Sequence, residues 1–257
     1  MIDENIDISC FERNCQLRFV PLCKKNMKTI YSYVLRTDDG AAPNPLWGIC
    51  TLTICKPVIR RTAKIGDWVI GVGSASVEVS KGKFDHYSNK LVYAMKITDI
   101  KTLAEYDVFC REHAPNKIPQ WDKGDWKYRV GDCIYDYSNG DNPALRKGVH
   151  NKDCRPTDIK GLNSLISDHF YYFGNEAKEI PPNLCEIIKK NQGHKKIMNP
   201  QIISDFEMWI TQFEQNKLYS EPLNAWFYTG DVSDEDIARC AKICANDDTV
   251  EDEEVVE

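Results

Sequence analysis

The chain has no apolar run approaching the roughly 18 residues that a membrane-spanning helix needs, so no membrane partner is expected. Asp3, Glu4 and Asp7 come early and no long apolar stretch follows them, which is not the order of a secretory leader. There is no G-x-S-x-G nucleophile elbow, Walker loop, Rossmann glycine pattern or H-E-x-x-H. These absences argue against the common hydrolases, nucleoside triphosphatases and dehydrogenases. No C-x-x-C pair is present, so no metal site is assigned, and no cofactor box identifies a cofactor. The net charge is −6, which excludes binding to DNA through charge alone. No internal repeat is found.

What is present is a globular composition. Of the 257 residues, 42% are hydrophobic and 28% charged, enough for one large domain or two small ones. Eleven cysteines are scattered in a chain too long for a disulfide scaffold, so they are read as reduced thiols in the cytoplasm. Acids crowd the segment from Asp231 onward, ending in a run over 247–254 that reads as a solvated tail. The rest is near neutral, with basic stretches at 56–64 and 189–196. A small nucleotide, or one flipped base, is compatible with that balance.

Residues 1–26 lack periodicity and are read as an extension, residues 27–225 as the main domain, and 226–257 as a C-terminal helix and acidic tail. β-Rich patterns predict strands at 29–36, 47–54, 68–73, 90–97 and 165–173. Residues 74–89 read as a polar hairpin or loop. Thr102 with Glu105 forms a capping box that opens a helix to about His113. Helical patterns recur at 181–191, 200–215 and 231–244, the last with a weaker box at Ser233 and Asp236. The segment 114–165 is rich in Pro, Gly and Asp, and only 133–137 looks strand-like; loops of this length are usually functional. Strands followed by helices predict an α+β fold.

Four clusters stand out. Gly66-Asp67 before Trp68 reads as a turn opening a buried strand. In the loop 38–45, Pro43 and Pro45 stiffen the backbone around Asn44. Asp38, Asp39 and Asn44 are therefore ligand candidates, or else members of a solvated turn. Trp47 follows as an aromatic wall. Asp168-His169 opens an aromatic strand in which alternation puts His169, Tyr171 and Phe173 on one face and Asp168, Phe170 and Tyr172 on the other. His169 is a base or donor beside a pocket, or a satisfied core histidine; Tyr171 or Tyr172 would clamp a ligand. Asp132, Tyr135 and Asp136 offer two carboxylates for acid–base work, or simply satisfy loop N–H groups. His150-Asn151 and Gly193-His194 add further polar contacts, the latter with a helix C-cap as its alternative. Cys133 is read as a buried, inert thiol.

The run from Tyr31 to Cys50, the segment 60–69, residues 129–136, Ser167 to Gly174, and Gly193-His194 together resemble the second of the nucleotide modification associated domain families, over about 27–225. Separately, Arg60-Arg61, the stretch from Lys64 to Ser74 and the strand 91–96 resemble the PUA/EVE/ASCH group of small β-barrels. The first resemblance implies company with bacterial and phage systems that make or handle modified bases, including defence systems. The second implies an aromatic pocket for a modified base. The expected architecture is a partly closed mixed sheet or a small PUA/EVE-like barrel, with flanking helices and a helical C-terminal part. The expected function is capture of a modified nucleobase or nucleotide, with nucleic acid a possible partner. The alternative is an enzyme using Asp132, Asp136 and His169 for acid–base or metal chemistry.

Overall fold

In the computed structural model, which describes residues 28–237 and 253–257, a mixed sheet divides the hydrophobic core into two faces. The chain begins with β1 (Ile30–Leu35), passes through the short β2 (Cys50–Leu52) and helix α1 (Pro57–Thr62), and returns as β3 (Trp68–Gly73). A hairpin, β4 (Val77–Ser80) and β5 (Lys83–Asp85), leads to β6 (Lys90–Lys96), β7 (Asp99–Thr102) and helix α2 (Leu103–His113). The next stretch holds α3 (Trp126–Arg129), a small ribbon of β8 (Tyr135–Asp136) with β9 (Ala144–Leu145), and α4 (Arg155–Lys160). After it come β10 (Asn163–Ser167), β11 (His169–Tyr172), β12 (Lys178–Glu179) and β13 (His194–Ile197). Helix α5 (Pro200–Ile210), β14 (Lys217–Leu218) and β15 (Glu253–Val256) complete the order.

The large sheet runs β14-β11-β6-β3-β1-β13-β15, with β12 on β6. β1 and β3 pair in parallel and β3 and β6 antiparallel. Both central strands are near-continuous apolar runs because both faces are covered. Tyr31, Tyr33, Val69, Tyr93, Phe170 and Tyr172 face one side. Trp68, Ile70, Tyr171 and Phe173 face the other, under Ile203, Phe206 and Ile210 of α5. The sheet does not close into a barrel, so the open alternative of the two expected forms is the one found.

The expected strands at 68–73 and 90–97 are present, and the Thr102–Glu105 capping box forms in both directions. The pattern at 47–54 shrinks to three residues, because 44–51 is a loop closed by paired Asn44 and Thr51 peptides at 2.8 and 2.9 Å. The expected strand at 165–173 is two strands in different sheets, broken at Asp168. Alternation within it holds, since Tyr171 and Phe173 lie opposite Phe170 and Tyr172. The segment at 181–191 is a 3-10 turn over Pro182–Ile187, and Gly193 opens β13 instead of capping a helix. The Ser233–Asp236 box forms, while residues 238–244 of the expected last helix lie outside the described residues, as do 1–27 and 245–252.

Residues 114–165 are not a loose loop. Trp126, Val130, Ile134, Tyr135 and Val149 form a third core cluster with Ala41, Ile54, Cys55 and Tyr228. That cluster places side chains from distant parts of the chain around Cys55. Among the described residues, no helix is long and apolar enough to cross a membrane.

Candidate active site

Where β2 gives way to α1, Cys55 and Lys56 both adopt left-handed backbone, with φ of 58° and 45°. Two consecutive non-glycine residues in this region are sterically costly, and such strain persists only where neighbours over-determine it. Pro57 disfavours the right-handed alternative at Lys56. The Cys55 N–H donates to Asp158 Oδ1 at 2.9 Å, and the Cys55 carbonyl accepts from Arg60 Nε at 2.7 Å. Arg60 is fully buried and its other nitrogens donate to the carbonyls of Asn163 and Asp158. It ties α1 to α4 and β10. Gly161 is required there: a Cβ at that position would stand 2.1 Å from the guanidinium carbon.

Asp158, in α4, therefore sits directly behind Cys55. Its Oδ2 faces His150 Nδ1 at 2.7 Å and accepts from the Tyr135 hydroxyl at 2.8 Å. On the other edge of the same imidazole, Nε2 lies 3.5 Å from Cys55 Sγ. A buried thiol, imidazole and carboxylate are thus in sequence. Burial opposes charge on His150, but Asp158 and then Cys55 hold its pKa well above the ordinary imidazole value. Burial likewise pushes Asp158 upward, and His150 with Arg60 reverses this and holds it below the usual carboxylate range. Burial and the neighbouring Asp158 push Tyr135 up, leaving its hydroxyl a pure donor. The His150–Asp158 pair is ionic, and the carboxylate fixes which ring nitrogen faces the thiol.

Cys55, His150 and Asp158 bring their ligand atoms within 4.8 Å of one another, close enough to consider a metal. The geometry argues for a proton relay. Asp158 already accepts from Cys55 N, Tyr135 and His150, so its oxygens are engaged within the protein.

Cys55 and His150 line a narrow cavity of about 30 Å³. Tyr33 forms an aromatic wall, its hydroxyl 2.8 Å from that of Tyr93. Arg36 and Lys56 supply positive charge to the lining, with Lys56 Nζ 5.0 Å from the Tyr33 ring centre. Asp39 also lines it; burial pushes its carboxyl above the usual range, while one oxygen accepts from Ala41 N–H at 2.9 Å. The arrangement suits nucleophilic attack on a flat, polar, anionic molecule.

Of the catalytic and ligand candidates named from the sequence, Asp39 alone lines this cavity, beside His150, which was marked as a polar contact; Tyr135 supports the site through Asp158. Asp38 is buried alongside, accepting from the Tyr172 hydroxyl and from Leu223 N–H; burial pushes its carboxyl up to about 7. Both polar ends of Asn44 are used internally, on Val130 O at 2.9 Å and from Lys117 Nζ at 2.8 Å. Asp132 is fully buried and accepts from Thr51 at 2.6 Å and Tyr106 at 2.8 Å. Asp136 closes a turn on Ser138 and pairs with Arg146 at 3.2 Å. His169 and Tyr171 pack on Trp68, on the opposite side of the sheet from Tyr172, and burial lowers the His169 pKa. Asp168 is exposed at the break between strands, and Trp47 lies on Tyr128. Asp132, Asp136 and His169 are thus committed to three different neighbourhoods. Gly66-Asp67 is the turn expected, with Asp67 accepting from Thr29 and Lys64 N–H groups at 2.9 Å. Cys133 is buried as expected.

Cys55 and Asp158 escaped the sequence reading, and His150 was marked only as a polar contact. The single local signal was Cys55 placed two residues before Pro57, at the end of a strand. The family model described as nucleotide modification associated domain 2 matches residues 27–230. No curated protein and no solved structure matches the chain.

Proposed function

The chain belongs to the nucleotide modification associated domain 2 family, and on that premise we propose that it is a thiol enzyme acting on a nucleotide or nucleobase in a nucleic-acid modification system. The observation that carries this reading is the relay Cys55 Sγ, His150, Asp158, at 3.5 and 2.7 Å, opening onto a cavity. The proton on His150 Nε2 is the one given up by Cys55, so the reacting pair is a thiolate beside an imidazolium that Asp158 holds. The thiolate forms a bond to an electrophilic carbon of the bound base or its substituent, and His150 returns the proton to the atom that departs. Water or a second acceptor then releases the carbon from sulfur and regenerates the thiol.

Recognition of a modified base falls to the same cavity. Tyr33 offers an aromatic wall, Asp39 a polar edge, and Arg36 with Lys56 the charge for a phosphate. Pure capture of the ligand is the less favoured reading, because Asn44 and Asp132 have their polar atoms occupied within the protein. The setting that fits this chemistry is the reducing cytoplasm of a bacterial or phage-infected cell.

Thiol mapping by iodoacetamide and peptide mass spectrometry tests the reading. Cys55 should be alkylated at neutral pH faster than the exposed Cys185, and H150N should slow Cys55 by about tenfold or more while leaving Cys185 alone. A Cys55 that reacts no faster than Cys185, and is indifferent to H150N, would sink the proposal. Incubation with deoxynucleotides and modified bases, with C55S as control, then looks for turnover.

A further inference from the structure

We propose that Trp47 and Tyr128 form a base-stacking platform for single-stranded nucleic acid, on a surface separate from the Cys55 cavity. Neither ring lines that cavity. Trp47 is 39% exposed at the tip of the 44–51 loop, and its ring centre stands 4.8 Å from that of Tyr128. Its backbone is left-handed, φ 67°, as is that of Gly48, φ 85°. A turn of this shape is satisfied by Gly or Asn; a bulky indole adds steric cost. The side chain is therefore placed at that tip against backbone preference, tilted against Tyr128 and partly open to solvent.

The loop beneath it is held rigidly. Lys117, fully buried, donates to Asn44 O, Asn44 Oδ1, Ile49 O and Thr51 Oγ1 at 2.8 to 3.1 Å, so one ammonium fastens both ends of the loop. Asn44 adds a bond to Val130 O, at the end of α3, which carries Tyr128. The two rings are thus fixed relative to each other before any ligand arrives, which lowers the ordering cost of binding.

The surroundings supply the charge. Lys123 Nζ lies 5.6 Å from the Tyr128 ring centre, and Lys127 precedes Tyr128 by one residue in α3. An exposed aromatic pair with a cation at one ring suits a strand whose bases stack and whose phosphate passes the lysine. Asp122 and Asp125 share the segment, and Asp125 caps α3 through Lys127 N–H, so the expected dependence on salt is shallow. A strand on this surface would present bases to the protein as part of a polymer, a property independent of what Cys55 does.

The test uses full-length protein and a fluorescein-labelled oligothymidylate of about twelve nucleotides, followed by anisotropy at low and physiological salt. Wild type should bind; W47G should bind about tenfold or more weakly, and W47F should retain most of the affinity. Glycine accepts the left-handed backbone, so W47G should unfold at the same denaturant concentration as wild type or a higher one. K123E should weaken binding and flatten the salt dependence further. The proposal is overturned if wild type leaves the oligonucleotide unbound, as a surface for a protein partner would. It is equally overturned if W47G binds as wild type does, or loses binding only together with a lowered unfolding midpoint.

Discussion

Two buried polar relays have the same construction and opposite ends. In one, Lys117 donates to Thr51 Oγ1 at 3.1 Å and Thr51 donates to Asp132 at 2.6 Å. In the other, Cys55, His150 and Asp158 follow one another at 3.5 and 2.7 Å. Each is a terminal group, a middle group and a carboxylate, almost wholly out of water. The Lys117 ammonium ends among four oxygens, three of them from the 44–49 chain, and lines no described cavity. The Cys55 thiol ends at a cavity wall. Burial and shifted protonation are shared by structural and functional clusters alike. Access to a substrate separates them: Asp132, one of the two carboxylates the sequence offered for acid–base work, lines no described cavity.

The strongest way to break the comparison is K117M, which leaves Asp132 buried without its cation and should cost about 3–5 kcal/mol in urea unfolding. The double variant K117M/D132N should recover part of that loss. C55A, in the other relay, should cost less than about 1.5 kcal/mol while abolishing the fast alkylation. Equal losses from K117M and C55A would erase the distinction.

Asp38 extends the contrast to a buried acid without a cation. Its folded pKa is raised to about 7, so the folded protein holds this proton more tightly than the unfolded chain does. Its contribution to stability is full below about pH 4 and declines as pH rises to about 7, by at most about 4 kcal/mol. D38N should flatten unfolding stability across that window; an unchanged slope would show that Asp38 does not titrate there. The His150–Asp158 pair behaves differently. His150 contributes fully below the ordinary imidazole pKa and loses its contribution as pH rises through its higher folded value; Asp158 loses its own as pH falls through its lowered one.

A smaller effect on stability, about 1–3 kcal/mol, is expected for G161A, whose methyl displaces the Arg60 guanidinium. The sharper readout is at Cys55. Loss of the Arg60 clamp should relax the left-handed turn and slow alkylation there, with Cys185 unaffected as the internal reference.

Local patterns account for what was readable. Alternation from His169 to Phe173 sorted side chains onto two faces because pleated strands permit nothing else. Thr102 and Glu105 marked a helix start through a bond pattern confined to four residues. The same alternation gave no warning that the strand breaks at Asp168 and changes sheets, since both halves are apolar and β-prone. It put His169 and Tyr172 on opposite faces but could not show which face meets a cavity, because a face is known from sequence only relative to its own strand.

Apolar periodicity, turn chemistry and capping, all short-range, therefore determined by sequence alone the α+β class, the central strands and the Gly66-Asp67 turn, while the resemblance of its motifs pointed to a nucleotide modification family. The site arose only in three dimensions. Cys55, His150 and Asp158 are brought together across about a hundred residues by the packing of α1 against α4 and by Arg60 between them. Which buried carboxylate serves a thiol and which serves a loop depends on who its neighbours are and whether a cavity reaches them, and no spacing along the chain encodes either.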